Sequence, residues 1–357
     1  MARTTVDVLL VSPGTTAGWR RLDAHAAGAL RDLGLSVAVA STDFRVARHL
    51  RRTMPLTDLA EAAAIRHATS RALRRHAPRA ILFSGVQSVL LQPRSRLRIG
   101  GVRFDALTVT NRPGRANFVQ HLLERRALRQ LAVLLPAGLA AAPPPQAAGR
   151  PVAALPFPVT VPARLPPAER EPLVVAYAGN PDKKGLDVIA RAWRDAAADA
   201  RRLVVTGLAA EQGRAFLRAR HVAEPAGIEW AGRLSAGEHA ALVARAEAYV
   251  SASRFEDYGI AQLEALAHGT PLVTTPSPGG YEALPLARRL EPALVAGDST
   301  PAALATALRA ALEMPAAARA SYAERARELV APYSEAEVRR RLAEDVLPLL
   351  LGSEETA

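Results

Sequence analysis

Short apolar strands alternate with longer helical stretches twice along this 357-residue chain, and this alternation limits the possible folds more than any other feature. Strands that are separated by helices predict parallel sheets with helices packed on their faces. The first series predicts strands at residues 6–11, 36–40, 80–84, 106–110 and 132–135. The second predicts strands at residues 173–178, 203–206, 228–230, 249–251 and 271–274. The chain is therefore expected to be an α/β protein with two Rossmann-like, doubly wound domains.

A proline-rich stretch separates the two series. Residues 143–172 contain ten prolines and few helix formers, a composition typical of a connection between domains. A last helix, predicted over residues 335–350, comes after the sheet pattern has ended. The sequence therefore predicts four parts: an N-terminal domain at residues 1–157, a linker at 158–172, a C-terminal domain at 173–332 and a terminal helical segment at 333–357.

Two carboxylates bracket the predicted start of a helix in the second series. Glu256 and Glu264 are separated by seven residues, and Gly259 stands where the helix opens. A helix N-terminus offers free N–H groups and a positive dipole end to phosphates, while carboxylates accept hydrogen bonds from sugar and ribose hydroxyls. Because Glu264 lies in a nearly apolar helix, its carboxylate needs a partner. The layout favours a nucleotide-sugar site, with helix capping and a solvated helix face as the alternative.

This stretch resembles the E-x7-E signature of glycosyltransferase family 4, a group of retaining GT-B enzymes. The resemblance continues through residues 269–273 and 279–282 and covers most of residues 173–250. It implies the GT-B fold, with two Rossmann-like domains that face a cleft and a C-terminal helix that crosses back onto the first domain. In that family the first glutamate contacts the donor sugar and the second contacts the ribose. The resemblance therefore assigns the sugar to Glu256 and the ribose to Glu264.

The only two lysines of the chain, Lys183 and Lys184, are adjacent in a predicted βα turn just before Gly185. Lysine is a compact point charge whereas arginine is a broad planar fork, so a tight phosphate pocket favours lysine; a chance position on a solvated turn is the alternative. In the resembled family this turn places an arginine and a lysine on the diphosphate. Lys184 fits the lysine. Asn180 stands at the arginine's place in the donor site, and Lys183 is the candidate for the missing charge.

The resemblance gives further positions a place at the donor. Backbone N–H groups of Gly259 and Ile260 are expected to meet its phosphates or sugar. Leu234 occupies the place of a backbone contact to the base, with ordinary packing as the alternative. Gly18 either lets the first domain approach the diphosphate or only forms its turn. Three residues on the expected acceptor side have no assigned role: Asn111, Arg112 and His121.

The implied reaction is retaining transfer of a sugar from a nucleoside-diphosphate sugar, of the UDP or GDP type, to an acceptor hydroxyl. No cofactor is expected beyond this co-substrate. No metal is expected either, since the chain has no cysteine, no Asp-x-Asp motif and no close ligand spacing among its eight histidines. Two other functions stay open: a non-catalytic binder of a nucleotide sugar or polyanion, and a GT-B-like epimerase.

Positive charge is concentrated in the first half, where residues 1–150 contain 23 arginines and 8 acidic residues. This asymmetry predicts an acidic partner, either an anionic membrane or a phosphate-bearing acceptor. Nucleic acid is not expected, because no basic motif with interleaved aromatic residues occurs there. We expect a sugar, lipid-linked or phosphorylated acceptor and a cytoplasmic protein with peripheral contact on the inner membrane face. The arginines expected to face a membrane are Arg48, Arg51, Arg52, Arg94, Arg96, Arg98 and Arg103.

Overall fold

The chain divides into two compact units, which are described here from a computed structural model. Unit 1 consists of Met1–Pro158 together with Ala336–Ala357, and unit 2 consists of Val159–Glu335. The structure describes residues 3–14, 17–42, 54–139, 149–164, 170–196 and 200–352. In these ranges no helix has both the length and the apolar character that crossing a bilayer requires.

Unit 1 is built on a parallel sheet with the strand order β2-β1-β3-β4-β5. Its strands are β1 Thr4–Ser12, β2 Val37–Ser41, β3 His76–Ser84, β4 Gly100–Phe104 and β5 Val133–Pro136. Its helices in this part of the chain are α1 Ala17–Asp32, α2 Met54–Arg75, α3 Arg94–Leu97, α4 Thr108–Asn111 and α5 Phe118–Leu128. The central strands are buried on both faces, as their near-continuous apolar sequences require. The predicted parallel, doubly wound sheet is confirmed for this unit.

One predicted strand of unit 1 is wrong. Residues 106–110 were expected to be extended, but Thr108 begins α4, and its backbone N–H donates to the buried Glu124 carboxylate at 2.7 Å. The fourth strand instead begins at Gly100 and Gly101, where a Cβ atom would stand 2.7 Å from the side chains of Phe83 and Val133. Two glycines weaken a sequence-based strand prediction, although here they let large neighbouring side chains fill the core.

Unit 2 contains a second parallel sheet, with the order β10-β9-β6-β7-β8. Its strands are β6 Glu171–Tyr177, β7 Arg202–Thr206, β8 Ile228–Gly232, β9 Ala246–Ser251 and β10 Leu272–Thr274. Its helices are α6 Leu186–Asp195, α7 Ala210–Ala219, α8 Ala236–Arg245, α9 Ile260–Ala267, α10 Ala283–Leu290, α11 Pro301–Leu312 and α12 Ala316–Val330. Helix α10 was not predicted, because Pro285 interrupts its pattern near the start.

The end of the chain returns to unit 1. Helix α13 Glu335–Arg341 continues through a π-helical turn, Leu342–Val346, into α14 Leu347–Leu351. Four apolar side chains of this segment join the buried cluster that also contains residues of β1, β3 and β5: Val338, Leu342, Val346 and Leu350. Their spacing of four residues puts them on one side of a helix, which explains why this amphipathic segment packs rather than extends into solvent.

Candidate active site

The candidate site of unit 2 lies where the winding of its sheet changes direction. Strands β6 and β9 are parallel neighbours, although 68 residues separate the end of β6 at Tyr177 from the start of β9 at Ala246. From β6 the chain continues to β7 and β8 on one side, and from β9 to β10 on the other. In open α/β sheets the carboxyl ends of two such strands splay apart and leave a crevice that binds ligands. The turns that follow β6 and β9 contain Lys184 and Glu256.

The Glu256 carboxylate is the centre of this crevice's polar network. Glu256 is only 5% exposed, and Lys184 Nζ lies 2.6 Å from Glu256 Oε2. Ser253 Oγ donates to the same oxygen at 2.8 Å and Gln262 Nε2 donates at 2.9 Å. Within the described ranges these three donors all reach Oε2, so Oε1 is the oxygen that remains to accept a hydrogen bond from a ligand.

This network keeps Glu256 charged. Burial raises the pKa of the carboxyl, but the Lys184 ammonium and the hydrogen bonds from Lys184, Ser253 and Gln262 outweigh burial and hold the pKa below its ordinary value. At neutral pH Glu256 is therefore a carboxylate and an acceptor only. Such a group suits a sugar hydroxyl, which can donate a hydrogen bond to it.

Lys183 lies beside this network with a different partner. Its ammonium pairs with the Asp257 carboxylate, and both side chains are partly exposed. The Asn180 side chain accepts a hydrogen bond from the Lys183 backbone N–H at 3.0 Å, so Asn180 shapes the turn that presents the two lysines. The Lys183 carbonyl in turn accepts from the Arg254 N–H at 2.9 Å.

The two turns are fixed to each other by backbone proximity and by an ion pair. Gly185 adopts a left-handed conformation with φ of +63°, and a Cβ there would stand 2.1 Å from the Ala252 carbonyl oxygen. Only glycine permits this approach without strain. Arg254 pairs with Asp187 of α6, with an Nη2–Oδ2 distance of 2.7 Å. These contacts hold the two crevice walls against each other.

Helix α9 points its N-terminus at the same crevice. Gly259 is its N-cap, with φ of +91°, and Ile260 is its first residue, so the predicted helix start is confirmed. A Cβ on Gly259 would stand 2.8 Å from the ring of Tyr281. The first-turn N–H groups have no partner inside the helix, which makes this end suited to a phosphate or a sugar oxygen.

The two glutamates both act on one buried phenol. Glu264 is half-buried on α9, one helical turn after Ile260. Burial raises the pKa of Tyr249 well above its usual range, and the charges of Glu256 and Glu264 raise it further.

The remaining candidates are more scattered. Leu234 is partly buried just after β8, and Gly18 lies in unit 1 as the second residue of α1 rather than in the preceding turn. Arg112 Nη1 pairs with buried Asp58 at 2.9 Å, and the Arg112 carbonyl lies 3.1 Å from His121 Nε2. Arg112 and His121 thus form part of the internal scaffold of unit 1. Asn111 is the last residue of α4.

Sequence reasoning missed Ser253 and Gln262. Gln262 is 1% exposed and donates to Ser251 Oγ as well as to Glu256, both at 2.9 Å. The sequence did contain a signal for Gln262, because it is a polar residue in the same nearly apolar helix as Glu264. Ser253 had no such signal, since a serine after a strand is common in turns.

Comparisons with known proteins concern the family and the fold of the chain. Residues 161–329 match the family model described as glycosyl transferases group 1. No curated protein sequence matches the chain. Among solved structures, sucrose-phosphate synthase from Thermosynechococcus elongatus is similar with 16% identity over 96% of this chain and 98% of its own, at a TM-score of 0.71.

Two further structures have the same fold. An α,α-trehalose 6-phosphate synthase from Burkholderia multivorans is 15% identical over 97% of this chain and 98% of its own, with a TM-score of 0.64. WaaG, a glycosyltransferase involved in lipopolysaccharide biosynthesis, is 14% identical over 95% of this chain and 99% of its own, with a TM-score of 0.66. The chain therefore has the GT-B fold, and its residues 161–329 match the glycosyl transferases group 1 family.

Proposed function

We propose that the protein is a retaining glycosyltransferase that moves a sugar from a UDP- or GDP-type nucleoside-diphosphate sugar to an acceptor hydroxyl, without a metal. The observation that supports this most directly is the buried ion pair of Lys184 with Glu256. It lies at the crevice between β6 and β9, beside the N-terminus of α9. A cation, a carboxylate and free helix N–H groups at one edge suit a ligand with both phosphates and hydroxyls.

The proposed roles follow from charge. Glu256 accepts a hydrogen bond from the donor sugar through Oε1, because Oε2 is occupied by Lys184, Ser253 and Gln262. Glu264 accepts from the ribose. Lys183 and the N-terminus of α9 stabilise the departing diphosphate, whose negative charge grows as the bond to the sugar breaks. Lys184 contributes to the same field while it holds Glu256 ionised.

The proposed reaction needs no nucleophile from the protein. The bond between the anomeric carbon and the diphosphate oxygen breaks, and a bond from the acceptor oxygen to that carbon forms on the same face. The acceptor's proton passes to the departing phosphate oxygen. The electron pair of the broken bond stays on the diphosphate, where positive charge from the protein lowers the energy of the transition state.

The acceptor and the location are also proposals. The net positive charge of residues 1–150 favours a sugar acceptor that is phosphorylated or linked to an anionic lipid. A lipid-linked acceptor agrees with a cytoplasmic protein that makes peripheral contact with the inner membrane face.

Binding and turnover test this function separately. Thermal-shift measurements with UDP, GDP and their sugars identify the donor, because a ligand of the folded state raises the melting temperature. With that donor, Glu256→Gln is expected to lose transfer by a factor on the order of 100 while nucleoside-diphosphate affinity is largely kept. Glu264→Gln is expected to weaken binding of the nucleoside diphosphate itself. Glu324→Gln, an exposed position on α12, is the matched control.

Three results would contradict the proposal. An equal loss of nucleoside-diphosphate affinity in Glu256→Gln and Glu264→Gln would refute the division between sugar and ribose. Donor binding without hydrolysis or transfer to any sugar would favour a non-catalytic binder. Inverted configuration at the product's anomeric carbon, read by nuclear magnetic resonance, would rule out retention.

A further inference from the structure

Helix α5 of unit 1 is anchored by one side only. On its inner side, Gln120 Nε2 donates to the Asp58 carboxylate at 2.9 Å, and the Glu124 carboxylate accepts from the Thr108 N–H at 2.7 Å. Gln120 and Glu124 are buried, as is Ala127. Two buried polar anchors four residues apart fix the rotation of the helix about its own axis. Its opposite side is therefore held outward.

That outward side has an unusual composition. Phe118, Val119 and Leu122 are 65%, 55% and 56% exposed, which makes them the most exposed large hydrophobic residues of the described chain. The exposed positions that follow at helical spacing are all arginines. We call this surface the outer face of α5, and its six residues are Phe118, Val119, Leu122, Arg125, Arg126 and Arg129.

The surroundings of the outer face are also positive. Between residues 106 and 131 the sequence contains one acidic residue, Glu124, and that residue is buried on the inner side. Arg115, in the turn before α5, is exposed. Arg112 is the arginine of this stretch with a carboxylate partner, Asp58. Exposed apolar side chains therefore stand beside four exposed arginines, with no acidic side chain of this stretch among them.

We infer that the outer face of α5 docks onto an anionic membrane surface. Apolar side chains next to arginines on one side of a helix are what an interfacial helix needs, since the apolar groups enter the headgroup boundary and the guanidinium groups meet lipid phosphates. A second copy of this chain fits less well, because a symmetric contact through the same face would bring two sets of arginines together.

The inference also revises which arginines face the lipid. Arg103 is 2% exposed at the end of β4, and Arg96 is partly buried and donates to Gln92 and Ser70, so neither can meet a membrane as predicted. Arg94 and Arg98 are exposed and remain available. Three other predicted positions lie outside the described residues: Arg48, Arg51 and Arg52.

This inference rests on the proposed function in one respect, which is that a lipid-linked acceptor is the reason why docking is useful. The test itself needs no substrate. The full chain is mixed with vesicles of phosphatidylcholine containing about one third phosphatidylglycerol, and co-sedimentation is measured at low and high salt. Pure phosphatidylcholine vesicles are the neutral comparison.

Two variants of the outer face are compared with matched controls. In Arg125→Gln/Arg126→Gln/Arg129→Gln, the vesicle partition coefficient should fall about 100-fold, since each arginine near the surface contributes roughly a fivefold factor. The control removes the same charge from exposed positions of α2, and we expect it to keep most of the wild-type binding. Its three substitutions are Arg71→Gln, Arg74→Gln and Arg75→Gln.

The apolar part has its own pair of variants. Phe118→Gln/Leu122→Gln should bind at least tenfold more weakly, whereas Leu349→Gln, an exposed position of α14, should bind as the wild type does. Melting temperatures and nucleoside-diphosphate affinity should be unchanged in all four variants, which separates a docking defect from misfolding or from failure of the donor site.

Three outcomes would overturn the inference. Wild-type protein that fails to bind anionic vesicles at low salt excludes docking. An equal loss in the α5 and α2 arginine variants would mean attraction by net charge alone. A wild-type dimer that Phe118→Gln/Leu122→Gln dissociates would instead assign the outer face to a second copy of the chain.

Discussion

Replacing Lys184 with methionine tests whether the candidate site is held together by a buried charge pair. The change removes the ammonium 2.6 Å from Glu256 Oε2 but keeps a side chain of similar length. The Glu256 carboxylate then retains Ser253 and Gln262 as donors, at 2.8 and 2.9 Å. A buried carboxylate would thus keep its hydrogen bonds and lose its counter-charge.

The size of the effect follows from this geometry. Breaking a fully buried ion pair costs about 3–5 kcal/mol. The Lys184 side chain is 17% exposed, and two neutral donors remain, so we expect a loss of about 2–3 kcal/mol at neutral pH. For a unit of this size that loss lowers the melting temperature by about 6–9 °C.

The pH dependence gives a sharper test than the magnitude. In the wild type the folded pKa of Glu256 is lowered from an ordinary value of 4.5, so its contribution to stability is present above that value and is lost as the pH falls through the folded pKa. In Lys184→Met burial raises this pKa. The variant's deficit should therefore be largest near neutral pH and shrink as the pH falls toward the ordinary value.

Thermal melts from neutral to acidic pH measure this deficit, and Lys183→Met is the matched control. Lys183 pairs with Asp257 at a partly exposed position, so its loss should cost under about 1 kcal/mol with little pH dependence. Lys184→Met/Glu256→Gln should recover part of the lost stability, because no unpaired charge stays buried. A deficit of Lys184→Met that is independent of pH, or equal to that of Lys183→Met, would refute the reasoning.

Three other predictions follow from the contacts around the site and its scaffold. Lys183→Ala should lower turnover by a factor on the order of 100 with little effect on melting, and unchanged turnover would show that Lys183 does not replace the missing arginine. Gly185→Ala should lower the free energy of unfolding by more than about 3 kcal/mol, because its Cβ would stand 2.1 Å from a backbone oxygen. Gly232→Ala, whose Cβ would have nothing within 4 Å, should lower it by only about 1 kcal/mol. Equal melting temperatures of the two variants would contradict this. Arg112→Met should lower the melting temperature of unit 1, because buried Asp58 keeps Gln120 as a hydrogen-bond donor but loses its counter-charge, whereas nucleoside-diphosphate affinity, measured by calorimetry, should not change.

The alternation of strands and helices was enough to predict both sheets, because the parallel arrangement buries each strand on two faces and leaves a near-continuous apolar run in the sequence. The error at residues 106–110 has a physical cause. Alternating threonine and valine favour a strand, but the Glu124 carboxylate, 16 residues away in sequence, binds the Thr108 N–H and starts a helical turn. A tertiary contact overrides local propensity there.

Lys184 and Glu256 of the candidate site were predictable from the sequence, but their pairing was not. Lys184 and Glu256 are 72 residues apart, and they meet only because β6 and β9 are neighbours in the sheet. Sequence patterns predict that strands exist, whereas strand order depends on long-range packing. The sequence therefore suggested Lys184 as a phosphate ligand in a tight pocket of a βα turn, and the structure adds an ion pair with Glu256 that the sequence did not show.

The sheets of both units are doubly wound, yet the charged groups at the point where the strand order reverses differ between the two units. In unit 1 that point lies between β1 and β3, and there buried Asp23 accepts hydrogen bonds from Ser12 and Ser84 at the strand ends. Among the described residues, the hydrogen bonds to Asp23 come from these two hydroxyls rather than from a cation. In unit 2 the same kind of edge presents two lysines and a helix N-terminus, groups that suit the diphosphate of the proposed donor. Similar windings therefore carry different side chains at the strand ends, and these side chains rather than the fold support the proposed donor site in unit 2.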